Sequence, residues 1–346
     1  MGASTAQVRY QDNRHSGNLI MIAGPTAVGK SEVALSLARI INGEIISVDS
    51  MQVYRGLDIG TAKPSAEERR RVSHHLLDIL DLTESFDAAQ FVTRAHQAVQ
   101  EIRARGRVPI LCGGTGLYFR AFLGGLGETP ASDPVMRQEL ESIPLPLLLQ
   151  ELAARDLETY RRTDRQNPRR IIRALEVIRL TGRPFSAQRA LWQTADSRSS
   201  ADLKSQTLFS AWWFYRPVEE LRRRIDDRVT EMFQRGLVAE TEGLLLKGLS
   251  ENRTAMQALG YRQVVEHLQG HRNLQETVQL VKTRTRQFAK KQVTWFRRQP
   301  EFEFFPIPAS SNCEVLAQSI ADSHKARLVS AISVQAVEGY GTLGRV

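Results

Sequence analysis

One phosphate-binding loop constrains this chain more than any other part of its sequence. The spacing G-x-x-x-x-G-K-S/T is met by Gly24, Gly29, Lys30 and Ser31. An apolar run at Leu19–Ala23 precedes the loop and a helix-like run at Ser31–Ile41 follows it, which is the strand–loop–helix context that the motif needs. The backbone N–H groups of such a loop cradle a polyphosphate, and the helix N-terminus and the lysine add positive charge. The sequence therefore predicts that one substrate carries a diphosphate or a triphosphate.

Short apolar strands and helical runs alternate over about 18–130. Strands are predicted at Leu19–Ala23, Glu44–Val48 and Val108–Cys112, and helices at Ser31–Ile41, Ala66–Arg71 and Ala88–Arg105. A further buried strand is predicted at 207–215. This alternation is typical of a parallel α/β sheet, in which sites lie at the carboxyl ends of the strands.

Helical patterns dominate the remainder of the chain. They predict helices at Asp133–Ser142, Leu145–Arg155, Asn167–Leu180, Pro184–Leu191, Pro217–Lys247, Met256–Gln269 and Asn273–Arg298. The expected organisation is a flexible arm at 1–17, an α/β core at 18–131 and 207–308, a helical insertion at 132–206, and a weakly helical tail at 309–346. We expect the insertion to lack a large core of its own. The predicted fold class is α/β: a P-loop NTPase-like parallel sheet with a helical insertion domain and C-terminal helices.

The composition excludes several classes of protein. No apolar run approaches the roughly 18–20 residues of a membrane span, and the first residues lack the apolar segment of a secretory signal. We therefore expect a cytoplasmic protein that does not associate with membranes. Two cysteines, Cys112 and Cys313, are too few for a disulfide framework or a cysteine-rich zinc site.

Positive charge is concentrated in one part of the chain. The net charge is +9, and 253–298 holds ten Lys/Arg residues against two Glu. Arg286, Lys290 and Arg297 are predicted to share one helical face that contacts a phosphate backbone, and Phe288 and Trp295 another that packs on the core. This pattern indicates a polyanionic partner, although a solvated basic helix has the same pattern.

Polar residues follow two of the predicted strands. Asp49 could hold Mg²⁺ through water, accept a proton from a nucleophile, or cap the next turn. The sequence Cys112-Gly-Gly-Thr-Gly116 predicts a second anion-binding nest, or else a tight turn capped by Thr115. It has no carboxylate where a hydrolysing P-loop enzyme carries its metal-binding Asp, which counts against an ATPase.

Five further positions leave alternatives open. Arg224 and Arg228 are four residues apart on a helix, so they either clamp a diphosphate or form a solvated face. Lys63 either binds phosphate or is solvated. His74 and His75 have no nearby ligand set, so a structural role is favoured over a metal site.

The ordered set of motifs resembles one family. GPTAVGKS, SVDSMQVYRGLDIGTAKP, HHLLDI, GGTGLYFRA, QNPRRIIRALEV, ALGYRQ and QFAKKQVTWFR occur in the order found in bacterial tRNA dimethylallyltransferases, also called tRNA isopentenyltransferases. The resemblance covers about 18–300. It implies transfer of a dimethylallyl group from dimethylallyl diphosphate to N6 of the adenine 3′-adjacent to the anticodon, in tRNAs that read codons beginning with U.

The resemblance also implies roles for individual residues. Asp49 is the implied general base, Thr115 contacts the bridging oxygen of the leaving group, and Lys30 stabilises the departing charge. Ser31 is implied to approach Mg²⁺, the implied cofactor. The diphosphate-binding positions are Gly24, Pro25, Thr26, Ala27, Val28, Gly29, Lys30, Ser31, Arg224 and Arg228.

The partner implied by the resemblance is the anticodon stem-loop of tRNA, bound by a monomer. The implied tRNA-binding positions are Asp49, Ser50, Met51, Gln52, Thr115, Arg137, Gln166, Asn167, Pro168, Arg169, Arg170, Gln257, Ala258, Leu259, Gly260, Tyr261, Arg262, Lys290, Lys291, Gln292, Val293, Thr294, Trp295, Phe296 and Arg297.

Two other functions share the phosphate loop. One is a P-loop kinase or an isopentenyltransferase that acts on free adenine nucleotides, and the other is a non-catalytic RNA-binding protein. The basic helix argues against the first, because a small substrate does not require it. The presence of Lys30, Ser31, Asp49 and Thr115 together argues against the second.

Overall fold

The computed structural model describes residues 18–126, 129–188, 209–308 and 311–341, with side chains as far as residue 330. Within these residues six strands form one parallel sheet in the order β3-β2-β4-β1-β5-β6. The strands are β1 Ile20–Ala23, β2 Gly43–Val48, β3 His74–His75, β4 Val108–Gly113, β5 Ser210–Tyr215 and β6 Glu303–Pro306. The strands β1, β2 and β4 are buried throughout, as parallel strands covered on both faces are.

Helices flank and follow the strands. They are α1 Lys30–Ile40, α2 Ala66–Arg71, α3 Ala88–Ala104, α4 Gly116–Gly124, α5 Pro134–Ser142, α6 Leu145–Arg155, α7 Leu157–Arg162, α8 Pro168–Thr181, α9 Val218–Gln234, α10 Leu237–Leu245, α11 Tyr261–Leu268, α12 Leu274–Phe296 and α13 Cys313–Gly341. The phosphate loop joins β1 to α1. The predicted α/β class with a parallel sheet is therefore confirmed.

The described chain divides into two compact units. Residues 18–120 and 209–341 form the first, and 121–188 the second. The division falls within α4. The predicted arm at 1–17, the start of the predicted strand at 207–215, and the end of the helix predicted at Pro184–Leu191 lie outside the described residues.

Two predicted helices are interrupted by glycine. The helix expected over Pro217–Lys247 ends at Gln234 and begins again at Leu237, because Gly236 has φ 96° and ends the regular helix. The helix expected over Met256–Gln269 is a short 3₁₀ turn and then α11, with Gly260 at φ 99° between them. Glycine adopts this left-handed conformation without the steric cost that a side chain adds.

The tail is a core element, which the sequence analysis did not predict. α13 packs its Ala317, Ile320 and Ala321 into the core cluster that also holds Val33 and Leu37 of α1. His324 is buried, and its ring nitrogens hydrogen-bond to Ser210 Oγ and Asn18 Oδ1, both at 2.8 Å. Burial lowers the pKa of His324 to about 4, so this link involves the neutral ring at neutral pH.

The second unit has a hydrophobic cluster of its own, smaller than the core of the first unit. Leu140, Leu148, Leu152, Ile171 and Leu175 are buried together. Their helices α5, α6 and α8 each present one apolar face to this cluster.

A buried carboxylate organises the polar side of the second unit. Glu176 is fully buried and accepts hydrogen bonds from Ser132 Oγ, the Asp133 amide, Arg137 and Arg173. Burial alone would raise the pKa of Glu176, but the hydrogen bonds from Arg173 and Ser132 and the charge of Arg137 lower it. The carboxylate is therefore ionised, and two of its partners are cations.

We expect Glu176→Ala to destabilise the second unit by about 3 kcal/mol. This is near the lower end of the range for breaking a buried ion pair, because both arginines are partly exposed. Hydrogen exchange measured by mass spectrometry should detect faster exchange of backbone amides within 129–188. Glu158→Ala is the matched control, since Glu158 pairs with Arg162 in solvent. Equal exchange in the two variants would contradict the assignment.

Candidate functional site

The candidate site lies at the carboxyl ends of the central strands. Ala23 of β1 and Val48 of β2 are both in register with Gly113 of β4. The phosphate loop, Asp49 and Thr115 each follow one of these strands. Gly24 has φ 148°, and a Cβ there would lie 2.8 Å from the carbonyl oxygen of Phe214 in β5. Only glycine lets the phosphate loop leave the sheet this close to its neighbour.

Two arginines hold the carbonyl groups of the phosphate loop. Arg224 Nε donates to the Ala27 carbonyl oxygen at 2.9 Å, and Arg216 Nε donates to the Val28 carbonyl oxygen at 2.8 Å. Ala27 has φ 63°, a left-handed conformation that costs a non-glycine residue of order 1–3 kcal/mol. The arginine contacts occupy the acceptors of the loop and help to hold this conformation.

Two cations lie at the loop with few local partners. Lys30 Nζ donates to the Pro25 carbonyl oxygen at 2.7 Å. Burial lowers the pKa of Lys30 to about 8, and the charges of Arg228 and Asp49 act on it in opposite directions. Burial also lowers the pKa of Arg228, which has no hydrogen-bond or ion-pair partner among the described residues. An unpaired, partly exposed guanidinium favours an anionic ligand.

Asp49 both caps a turn and retains a free oxygen. Its Oδ1 accepts from the Met51 amide at 2.8 Å and from the Gln52 amide at 3.3 Å. In the described part of the chain its Oδ2 has no hydrogen-bond partner. Burial lowers the pKa of both Lys30 and Arg228, and the charge of Asp49 opposes that effect at each of them. The capping role is therefore present, and one carboxylate oxygen remains for chemistry.

The glycines after β4 are required by packing rather than by an anion-binding nest. None of Gly113, Gly114 and Gly116 has positive φ, so they do not form the alternating left-handed arrangement of a nest. A Cβ at Gly113 would lie 2.1 Å from the Val48 carbonyl oxygen. The Thr115 amide donates to that same oxygen at 3.2 Å. The Thr115 hydroxyl has no partner among the described side chains and backbone groups.

The loop after Asp49 is tied to the C-terminal helices. Gln52 Nε2 donates to the Thr61 carbonyl oxygen at 3.1 Å. Next to Thr61, the Gly60 amide donates to the Tyr261 hydroxyl at 3.0 Å, and that hydroxyl donates to Glu240 at 2.5 Å. Both oxygens of Glu240 also accept from the Ile59 amide. Tyr261 therefore supports this loop from inside the protein.

Lys63 neither binds phosphate nor is solvated. Its buried ammonium group donates to the Tyr54 carbonyl oxygen and to the carboxylates of Asp58 and Asp78. The predictions of phosphate binding and of a solvated side chain were therefore both wrong, because all three partners of the ammonium group lie within the protein. Lys63 stabilises the loop locally.

We expect Tyr261→Phe to lower the free energy of unfolding by about 1–3 kcal/mol, because the Gly60 amide and Glu240 then lose a buried partner. Urea denaturation followed by tryptophan fluorescence measures it. Tyr160→Phe is the control: Tyr160 Oη accepts only a 3.4 Å hydrogen bond from Arg165, on the surface. Wild-type stability in Tyr261→Phe would mean that the hydroxyl does not hold the loop.

The basic helix α12 differs from its predicted faces. Arg286 forms a bidentate ion pair with Asp226, so its charge is neutralised. Phe288 is 43% exposed and does not pack on the core. The buried face instead holds Val281, Ala289 and Phe296. The prediction was therefore wrong for Phe288, whereas Trp295 is partly buried and its ring packs against Phe296 and Gly116.

The predicted RNA-contact positions divide into exposed and buried groups. In the first unit the exposed ones are Ser50, Met51, Gln257, Leu259, Arg262, Lys290, Lys291, Val293, Thr294, Trp295 and Arg297, some of them only partly. Lys290, Lys291 and Arg297 have no ion-pair partner among the described residues. The side chains of Ala258, Tyr261, Gln292 and Phe296 are buried, which leaves them packing roles.

In the second unit the predicted positions lie on two helices. Gln166, Pro168, Arg169 and Arg170 are exposed, and Asn167 partly so, at the start of α8. Arg137 of α5 is partly exposed and paired with Glu176. Burial and the charge of Arg137 both lower the pKa of Arg169.

The remaining candidates have structural partners. His74 Nδ1 hydrogen-bonds to the Val72 carbonyl oxygen and His75 Nε2 to Glu44, in the edge strand β3.

The described residues contain no cluster of three or more His, Cys, Asp or Glu side chains that could hold a metal ion. None of the described helices is both long and apolar enough to cross a membrane.

Sequence reasoning missed Arg216 and Glu240. Arg216 is buried directly after the apolar strand β5. A lone charged residue at the carboxyl end of a buried strand is the signal that could have indicated it. Glu240 gave no such signal, because a glutamate on an amphipathic helix is ordinarily solvated.

The fold and the site define a class: a P-loop α/β protein with a carboxylate at the same edge of the sheet as its phosphate loop. The family model described as IPP transferase matches residues 52–299. This chain belongs to the IPP transferase family.

Individual relatives agree with the family match. A curated protein of Trichlorobacter lovleyi, tRNA dimethylallyltransferase 1, is 48% identical over 297 residues, which cover 85% of this chain and 95% of that protein. The full-length tRNA isopentenylpyrophosphate transferase of Bacillus halodurans has a TM-score of 0.63 at 36% identity, with 90% of this chain and 97% of that one covered. A eukaryotic dimethylallyltransferase solved acting on tRNA has a TM-score of 0.67 at 27% identity, covering 94% and 80%.

Proposed function

We propose that this chain transfers a dimethylallyl group from dimethylallyl diphosphate to N6 of the adenine 3′-adjacent to the anticodon, in tRNAs that read codons beginning with U. The observation that carries the proposal is that the phosphate loop, Asp49 and Thr115 follow three neighbouring strands whose ends, Ala23, Val48 and Gly113, are in register. A proton acceptor beside an anion cradle suits transfer from a diphosphate to an amine.

The proposed reaction assigns a role to each group. The adenine amine attacks C1 of the dimethylallyl group, the C1–O bond breaks, and its electron pair leaves with the diphosphate. The free Oδ2 of Asp49 accepts the N6 proton. Lys30, Arg228 and the loop amides other than that of Thr26 stabilise the charge on the departing diphosphate, and the Thr115 hydroxyl donates to its bridging oxygen.

Ser31 fits the proposed Mg²⁺ site. Its hydroxyl is exposed in the first turn of α1 and has no partner among the described residues. Mg²⁺ in such sites keeps several waters and binds substrate phosphates, so it needs few protein ligands. When bound, Mg²⁺ neutralises part of the diphosphate charge.

The proposed tRNA partner is supported by the exposed cations of each unit. Lys290, Lys291 and Arg297 of α12 are available for phosphate contacts, and so is Arg170 of α8. A free nucleotide substrate requires none of these cations. The sequence-based predictions of a monomer and of a cytoplasmic location stay proposals.

The test uses labelled dimethylallyl diphosphate, Mg²⁺ and one of three acceptors: an anticodon stem-loop containing A-A-A, the same stem-loop with purine riboside at the target position, or AMP. We expect label on the first acceptor only, because purine riboside has no N6 amine. Label on AMP alone would move the assignment to nucleotide prenylation. Label on none of the three would refute the proposal.

A further inference from the structure

Gln292 of α12 links the two loops of the diphosphate site. Its Oε1 accepts from the Thr26 amide in the phosphate loop at 2.9 Å, and its Nε2 donates to the Gly114 carbonyl oxygen after β4 at 2.9 Å. The side chain is 8% exposed. Both polar atoms of one buried amide are therefore bonded to backbone, one in each loop.

The packing around Gln292 leaves little freedom for either loop. A Cβ at Gly114 would lie 2.4 Å from Gln292 Nε2, and a Cβ at Gly116 would lie 2.4 Å from the Trp295 ring. Both glycines thus allow α12 to approach the loop directly. Because Thr115 stands between them, α12 also fixes the backbone that carries the Thr115 hydroxyl.

We propose that Gln292 is a positioning residue of the diphosphate site rather than an RNA-contact residue. It occupies the Thr26 amide and holds the phosphate loop and the Thr115 loop at a fixed separation, so that both reach one diphosphate. This inference rests on the proposed function for the identity of the ligand. It differs from the role implied by the resemblance, which places Gln292 against tRNA.

The two roles predict opposite results for Gln292→Leu. A positioning role predicts about tenfold weaker binding of dimethylallyl diphosphate with Mg²⁺, because two hydrogen bonds of ordinary strength are lost. It also predicts a higher KM for that substrate and an unchanged Kd for the stem-loop. An RNA-contact role predicts a weaker stem-loop complex and unchanged diphosphate binding. Isothermal titration calorimetry and fluorescence anisotropy measure the two affinities separately.

Two further variants complete the test: a matched control on the same helix and an independent change at the Gln292 contact. Gln275→Met changes an exposed glutamine on the same helix and should leave both affinities at the wild-type value. Gly114→Ala displaces the Gln292 amide without changing it, so it should reproduce the loss of diphosphate affinity if Gln292→Leu folds poorly. Wild-type diphosphate binding in both Gln292→Leu and Gly114→Ala would overturn the inference.

The outcome is separable from that of the proposed function. Diphosphate affinity is measured without RNA and without turnover, so it reports on Gln292 even if the stem-loop is not the acceptor. If wild type binds the diphosphate but prenylates no stem-loop, the proposed function fails while the positioning role is still tested.

Discussion

Asp49→Asn is expected to lower kcat for prenylation of the stem-loop by about 10²–10⁴-fold, the usual contribution of a positioned general base. Asparagine keeps an Oδ1 acceptor for the Met51 and Gln52 amides, so the turn that Asp49 caps is retained. What is lost is the negative charge and the proton acceptor. Single-turnover kinetics with saturating substrates measure the chemical step directly.

The variant separates catalysis from folding. Thermal unfolding of Asp49→Asn should stay close to wild type, whereas Asp49→Ala also loses the turn and should unfold earlier. Asp322→Asn, an exposed change on α13, should leave kcat unaltered. Wild-type kcat in Asp49→Asn would remove Asp49 from the mechanism.

Lys30→Met should lower activity about 10²–10³-fold, the typical cost of removing one donor to developing charge, yet raise stability at pH 7. The pKa of Lys30 is lowered from 10.5 to about 8 by burial. The unfolded chain therefore binds the additional proton between about pH 8 and 10.5, and Lys30 destabilises the folded chain most below pH 8. The unfavourable contribution of Lys30 to the free energy of unfolding therefore diminishes as the pH rises from about 8 to 10.5.

The same shift predicts how ligand binding depends on pH. Affinity for dimethylallyl diphosphate, measured without RNA, should fall as Lys30 loses its proton above about pH 8. This decline should be absent in Lys30→Met and present in Lys247→Met, which changes an exposed lysine. A Lys30→Met protein with wild-type activity, or with the pH dependence intact, would contradict the assignment.

Patterns local in sequence predicted the parallel sheet, the phosphate loop and most of the helices. The phosphate loop was predictable because strand, glycines, lysine and helix occupy one continuous segment. The helix α13 was not, since Ala317, Ala321 and His324 on its buried face give weak hydrophobic periodicity. The breaks at Gly236 and Gly260 depend on φ values that spacing alone does not reveal.

Contacts between distant residues limited the prediction of the site. The Thr26 amide and Gln292 are 266 residues apart, and Arg216 lies 188 residues from Val28. Their partners are backbone groups, which carry no sequence signal. For that reason a glutamine within a basic helix was assigned to RNA, and an arginine beside the phosphate loop was not assigned at all.

The dependence of the phosphate loop on Arg216, Arg224 and Gln292 has a consequence for synthesis. During translation the loop emerges early, but the side chains that occupy its carbonyl groups and its Thr26 amide emerge some 190–270 residues later. Contacts of such long sequence separation form late and slow folding. A ribosome-bound chain that ends before Gln292 would carry the entire glycine-rich motif and still bind dimethylallyl diphosphate poorly.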